Sequence, residues 1–416
     1  MENKSPSSSK EARLFDLNFL KTNVTAAFAN FVQPIFSVFL SLLAIELGAS
    51  VLEIGLVGGA SSLVYAFMPF VMGRFSDRGQ LRRFLIIFSL VLLSLTSTLY
   101  YFAQNPIDLI ILRLFEGLGW AGLWPSLDSA ISHDTRANPK RALAVFNLSW
   151  SSTAALGPIV GSFVIVVLSV RDVFLFNAVF LLLALMINLI PFSRFASKKL
   201  TETNEEIDPA TIPSSGFIKE SGPKLSPVFY IFALILSTIS FNTTASFFSP
   251  YAHSLGVQIV VIGAVSTTYG VARFLGYVLT LNNRISHFLL NPKTRFRNTI
   301  TFLVFTSLAP LLIILPGHAV ALYYVSFVMI GLSWSLVYFI ALISFVAETS
   351  KETMGSGAGI FETSIGIGNF TGPVVAGLVA GNSLTTPFIV PTILSIPILA
   401  FLGTKKPRKV RKSSGV

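Results

Sequence analysis

Long apolar runs recur along this chain too often and too evenly for a soluble fold to bury them. Bounded by charge, Pro, Gly or Asn, they fall near residues 17–46, 52–72, 83–103, 107–131, 141–169, 172–193, 227–250, 258–281, 298–316, 318–347, 354–380 and 385–403. Runs of about 20 residues suit helices crossing a ~30 Å hydrocarbon core, whereas barrel strands would alternate over roughly 9–11. The expected fold class is therefore all-α and integral to a membrane, with 12 transmembrane helices. Composition agrees, since only 12% of the residues are charged, about half the share of a soluble domain.

Residues 194–226 are polar, with Lys198, Lys199, Glu205 and Glu206 among several prolines, and they divide the runs six and six. The expected organisation is a tail at 1–16, a six-helix bundle at 17–193, a linker at 194–226, a second bundle at 227–403 and a basic tail at 404–416. Basic residues test the orientation, because Lys and Arg concentrate in cytoplasmic loops. The two tails, the linker and the turns after even-numbered runs hold 26 of the 30 Lys and Arg, leaving Lys21, Arg113, Arg171 and Arg273. Both termini are expected to be cytoplasmic, in a multi-pass protein of the plasma membrane. The Ser-rich start has no cleavage-site pattern and reads as a tail rather than a signal peptide. The basic C-terminal tail reads as a topology anchor at lipid, not a nucleic-acid arm.

The halves are weakly alike. Gly117-Leu118-Gly119-Trp120 corresponds to Gly331-Leu332-Ser333-Trp334, Asp134 to Glu348, and Leu156-Gly157-Pro158 to Thr371-Gly372-Pro373. Parallel six-span repeats are a transporter architecture, with the substrate site near the midplane between the halves.

Ionisable side chains within the runs cost at least ~2.5–3.5 kcal/mol each on insertion scales, so each is a functional candidate. Arg113 and Glu116 lie three apart on one helical face and can pair; Glu116 falls ~14 Å into its run, near the midplane. Two readings stand: a coupling pair released by protonation, or a self-satisfied pair that stiffens the helix. Glu362 has no charged neighbour within a turn of its own run, and an apolar setting favours a carboxyl's neutral form, as a proton carrier requires. Arg273 is its possible partner across helices, or a snorkelling cation. Gly157, Gly161, Gly368, Gly372 and Gly377 let helices approach closely, and Pro158 and Pro373 bend them.

The turn Gly73-Arg-Phe-Ser-Asp77-Arg78-Gly-Gln-Leu-Arg82-Arg83 resembles the loop signature of the major facilitator superfamily, with Gly73, Asp77, Arg78 and Arg82 in place and Gln80 and Leu81 departing from it. Arg113-Leu-Phe-Glu116-Gly117-Leu-Gly119 resembles that family's second signature, with Glu for Gln. Gly157-Pro158-Ile-Val-Gly161-Ser162 is similar to its antiporter signature, with Thr153 and Ser162 replacing glycines. The resemblance implies two pseudo-symmetric six-helix bundles working by alternating access. It also implies a cytoplasmic latch joining Asp77 with Arg82 or Arg83 and Asp128, and a cavity lined by runs 1, 4, 7 and 10. Those runs offer Asn30 and Gln33; Trp120 and Trp124; Asn242, Thr243 and Phe247; and Trp334 and Tyr338. Aromatics with a few amides suit an amphipathic organic ligand.

The function expected is proton-coupled efflux, by antiport, of small amphipathic organic compounds. The alternative is a symporter or uniporter importing a sugar or organic acid. The expected partners are that small molecule, protons and the lipid bilayer, and the protein is expected to act as a monomer. No enzyme activity, catalytic residue, cofactor or metal site is expected: His133, His253, His287 and His318 lack ligand spacing, there is no cysteine, and no phosphate-binding Gly-rich motif occurs. A non-transporting receptor on the same fold is a further class that sequence leaves open.

Overall fold

The computed structural model describes residues 17–76, 79–134, 139–190, 225–317, 319–348 and 354–404, and every regular element among them is a helix. The first half holds α1 (Leu17–Glu46), α2 (Val51–Ser76), α3 (Gly79–Phe102), α4 (Pro106–Asp134), α5 (Pro139–Val167) and α6 (Asp172–Leu189). The second holds α7 (Pro227–Ser254), α8 (Ile259–Thr280), α9 (Asn283–Leu290), α10 (Arg295–Leu308), α11 (Val320–Glu348), α12 (Met354–Ala380) and α13 (Val390–Thr404). Among the described residues, 11 helices are long and apolar enough to cross a membrane. The expected fourth span, α4, is not among them because Arg113 and Glu116 interrupt its apolar run. It nonetheless lies packed along α2 and α3, which restores the count to twelve.

Three details depart from the sequence pattern. Helix α9 was not anticipated; its eight residues begin where the Asn282 side chain accepts from the N–H groups of Arg284 and Ile285. The ninth span starts earlier than expected and tightens into a 3-10 turn at Ala309–Ile314, where Pro310 has no N–H to continue the α-helical ladder. The last span likewise opens with a 3-10 turn, Thr386–Phe388, ahead of α13. The linker lies almost wholly outside the described residues.

Local chemistry fixes the turns. Ser50 and Glu53 cap α2 reciprocally, the Ser50 N–H donating to Glu53 Oε2 at 2.8 Å and the Glu53 N–H to Ser50 Oγ at 3.3 Å. Gly48 (φ 78°) and Gly256 (φ 77°) take the left-handed conformation that closes α1 and α7. These two glycines sit in a repeat: Leu47-Gly48 and Ile54-Gly55 in the first half match Leu255-Gly256 and Ile262-Gly263 in the second. Of the four basic residues outside the expected cytoplasmic set, Arg171 donates to carbonyls at the end of α3, that of Tyr101 at 2.8 Å and that of Ala103, just past the helix, at 2.7 Å. Lys21 donates to Ile190 at 3.1 Å, just past the end of α6, and so uses the same helix-end attraction for cations.

The packing repeats as the sequence does. In the first half α1 lies against α5 and α6, and α3 and α4 pack together, with α2 on α4 and α6 on α3. In the second, α7 lies against α12 and α13, α10 and α11 pack together, α8 lies on α11 and α13 on α10. Two seams join the halves, α2 with α12 and α5 with α8. Each is zipped by small residues. A Cβ on Gly55 would strike the Pro373 carbonyl, and one on Gly263 would strike Ser162 and the Pro158 carbonyl. Each seam runs about 21 Å at 1.5 Å per residue, from Leu52 to Ala66 along α2 and from Gly263 to Tyr277 along α8. Buried hydroxyls tie neighbouring helices within each half, as Ser97 does to the Phe174 carbonyl at 2.7 Å and Ser326 to that of Ala309 at 2.7 Å. Large apolar side chains such as Phe84, Phe102, Phe163, Val167 and Ile396 stay exposed on the outer surface, a distribution that lipid, not water, would cover.

Candidate functional site

A cavity of about 230 Å³ lies midway through the bundle, between the halves. Asn30 and Gln33 from α1, Trp120 from α4, Asn242 from α7 and Trp334 from α11 line it as the resemblance implied. The wall is wider than four helices, however. Ser61 and Ser62 of α2, Pro158 of α5, Tyr269 and Arg273 of α8, and Asn369 of α12 also face it, because the two seams close its flanks. Trp124 and Tyr338 are not in the wall, and Phe247 is fully buried in the core.

Arg113 and Glu116 stand in the wall of α4 as a buried ion pair at 2.6 Å. Glu116 also accepts from the Trp120 indole at 2.8 Å and the Tyr100 hydroxyl at 2.7 Å. Arg113 donates to the Val57 carbonyl at 2.9 Å, and Asn242 of α7 donates to the next carbonyl, Gly58, at 3.2 Å. The pair thus anchors α4 to α2, beside a link from α2 to the other half. Such saturation favours the stiffening reading, since removing one partner of a buried pair costs about 3–5 kcal/mol.

Glu362 and Arg273 do not meet. Glu362 accepts from the Tyr65 hydroxyl of α2 at 3.2 Å, and one residue on, Thr363 donates to the Ala66 carbonyl at 2.8 Å. The carboxyl therefore lies in a seam, outside the cavity wall. Its charge and that of Asp128, an exposed side chain on α4, act on each other. The Arg273 guanidinium instead sits among three rings, 5.2 Å from Trp150 and 5.6 Å from both Tyr269 and Trp334. A desolvated cation over a ring gains about 2 kcal/mol or more, which helps to hold an arginine here with no carboxylate beside it among the described residues.

Between the cavity and Glu362 runs a layer of rings crossing from one half to the other. Trp124 meets Trp150 at 6.4 Å, Trp150 meets Tyr277 at 6.3 Å, Tyr277 meets Tyr338 at 6.2 Å and Tyr338 meets Phe361 at 5.4 Å. Trp120 stacks on Trp124, and Trp334 on Tyr338, from the cavity side. The layer is thus on the side where α1 begins and α13 ends, and the Gly55 and Gly263 contacts close the other side.

Of the expected helix-packing residues, Gly157 abuts the Phe31 carbonyl and Gly161 the Phe39 ring, both on α1. Gly368 and Gly372 abut the Ile235 and Ile239 carbonyls of α7, while Pro373 and Gly377 meet α2 across the seam. Of the latch residues, Asp77 and Arg78 lie outside the described residues, as do the surroundings of Gly73. Arg83 donates to the Leu189 carbonyl at 3.0 Å, at the end of α6. Sequence reasoning missed Tyr65, Tyr269 and Asn369, which carry no charge to draw attention. Tyr269, Arg273 and Tyr277 are nevertheless spaced by four, which places them on one helical face.

A model of the Major Facilitator Superfamily matches residues 22–372. Multidrug resistance protein 1 of Bacillus subtilis (strain 168) is 24% identical over 97% of this chain and 100% of its own. A multi-drug resistance efflux pump PmrA homolog of Lactococcus lactis is 25% identical over 40% of this chain and 42% of its own. The crystal structure of the nucleoside transporter NupG superposes with a TM-score of 0.71 at 13% identity, covering 93% of this chain and 98% of that one. The peptide transporter POT, in complex with sulfate, gives 0.69 at 12% identity, covering 93% and 94%. At such identities these two likenesses speak for the fold alone.

Proposed function

This chain belongs to the Major Facilitator Superfamily and is a membrane transporter, not an enzyme, and we propose that it exports small amphipathic organic compounds in exchange for protons. The observation that carries the reading is the placement of Glu362. It is a carboxyl held in the seam between the halves, bonded to Tyr65 of the opposite half and separated from the cavity by the aromatic layer. An ionised carboxylate accepts a hydrogen bond about twice as strong as a neutral one does. Proton uptake at Glu362 therefore loosens a contact between the halves without the proton entering the substrate site. Relatives named for multidrug resistance support efflux. The distribution of basic residues supports cytoplasmic termini, in a protein of the cell membrane. On that orientation the aromatic layer and Glu362 lie on the cytoplasmic side of the cavity, and we assign Asp77, with Arg82 or Arg83 and Asp128, the role of a latch at that face.

Proton release from the purified protein on addition of candidate compounds tests this. Release by the wild type and its loss in Glu362→Gln is the expected result; equal release by the variant removes Glu362 from coupling. Uptake driven in the proton's own direction in vesicles would replace antiport with symport, as for an importer of a sugar or organic acid. For the latch, Asp77→Asn should abolish transport at matched expression, and normal transport would leave that turn a topology anchor.

A further inference from the structure

Resting on the transporter reading, we propose that the cavity selects small aromatic organic anions, with Arg273 holding the ligand's negative charge. The charged residues of its wall are Arg113, Glu116 and Arg273. The first two cancel as an ion pair, and Glu116 already accepts from three donors. Arg273 is left as a net positive charge facing the cavity. Among the described residues no carboxylate lies within ion-pair distance of it, and its buried Nε has no hydrogen-bond partner. The surrounding ring faces ease the burial of the cation, but they bring no negative charge to neutralise it. A planar guanidinium fork matches a carboxylate or sulfonate.

The rest of the wall fits the same ligand. Phe241 and Tyr269, stacked on each other at 4.2 Å, add aromatic rings to the wall beside Arg273. From α1 in the other half, the buried Asn30 Nδ2 is a donor without a partner. At about 230 Å³ the cavity is smaller than the ~300–1,000 Å³ of sites for drug-sized molecules, which points to one or two rings. An amphipathic cation finds no free carboxylate there, because Glu362 lies beyond the aromatic layer.

Calorimetry on the full chain in lipid nanodiscs tests this with three probes of one shape: 2-naphthalenesulfonate, 2-naphthyltrimethylammonium and neutral 2-naphthylmethanol. The sulfonate should bind at least about tenfold more tightly than the ammonium. Arg273→Gln should erase that preference while leaving 2-naphthylmethanol binding intact, which also shows that the variant is folded. Arg273→Lys should keep part of the preference, since the charge remains and the fork is lost. Equal or tighter binding of the ammonium by the wild type overturns the inference, as does an Arg273→Gln loss that is the same for the sulfonate and the alcohol. Equilibrium binding needs no proton gradient, so the two readings fail separately. Ammonium exchanged for protons, with no anion preference, would leave the export reading standing and overturn this one. Anion preference without proton release would do the reverse.

Discussion

Glu116 accepts from Arg113, Trp120 and Tyr100, whereas Glu362 accepts from Tyr65. Replacing Glu116 strands a buried guanidinium, so Glu116→Ala should lower stability by about 3–5 kcal/mol. Glu362→Gln keeps an acceptor for Tyr65 and should cost about 1 kcal/mol or less. Thermal unfolding of both variants in one detergent would show the contrast, and equal losses would contradict it. The Arg113–Glu116 pair was legible in the sequence because an i, i+3 spacing on one helix fixes the neighbours. The supposed Arg273–Glu362 pair was not, because partners on different helices depend on rotation and depth that no spacing encodes. Tyr65 and the ring cage around Arg273 escaped notice for the same reason.

At the scale of elements, the seams depend on the absence of side chains. Gly263→Leu would push against the Pro158 carbonyl and Ser162, holding α5 and α8 apart on the side facing away from the aromatic layer. Transport at matched expression should fall at least about tenfold while the protein still inserts, because lipid-facing surfaces are untouched; unchanged transport would show that this seam need not close. The Gly157-Pro158 and Gly372-Pro373 repeats announced close packing in the sequence. Which helices they meet could not be read there, since Gly55 and Gly263 stand in ordinary apolar runs. The matching Leu47-Gly48 and Leu255-Gly256 turns ahead of them were the available clue. The 3-10 turn after α10 follows from Pro310 alone, and the early start of that span at Arg295 does not, because a buried arginine bonded to Ser344 at 3.1 Å looks like a loop residue.

Across the whole molecule, the number of crossings and the six-plus-six arrangement came through from the sequence because hydrocarbon thickness leaves few alternatives. The cavity wall came through only in part, since eight helices contribute where four were expected. The two seams have the same length and the same glycine-against-proline contact, so on the proposed transport reading a single rotation of one half against the other would part both together. The aromatic layer gives that rotation an optical signature. The chain has four tryptophans, and Trp120, Trp124, Trp150 and Trp334 all lie in the layer or stack on rings of it. Its entire indole emission therefore comes from one place, the floor of the cavity and the ring layer beneath it, where the halves meet. Opening toward the termini would wet those indoles and shift the emission to the red, and closure would return it to the blue. The unlabelled wild type should thus report its own conformational cycle by fluorescence, with no dye to attach and no residue to replace.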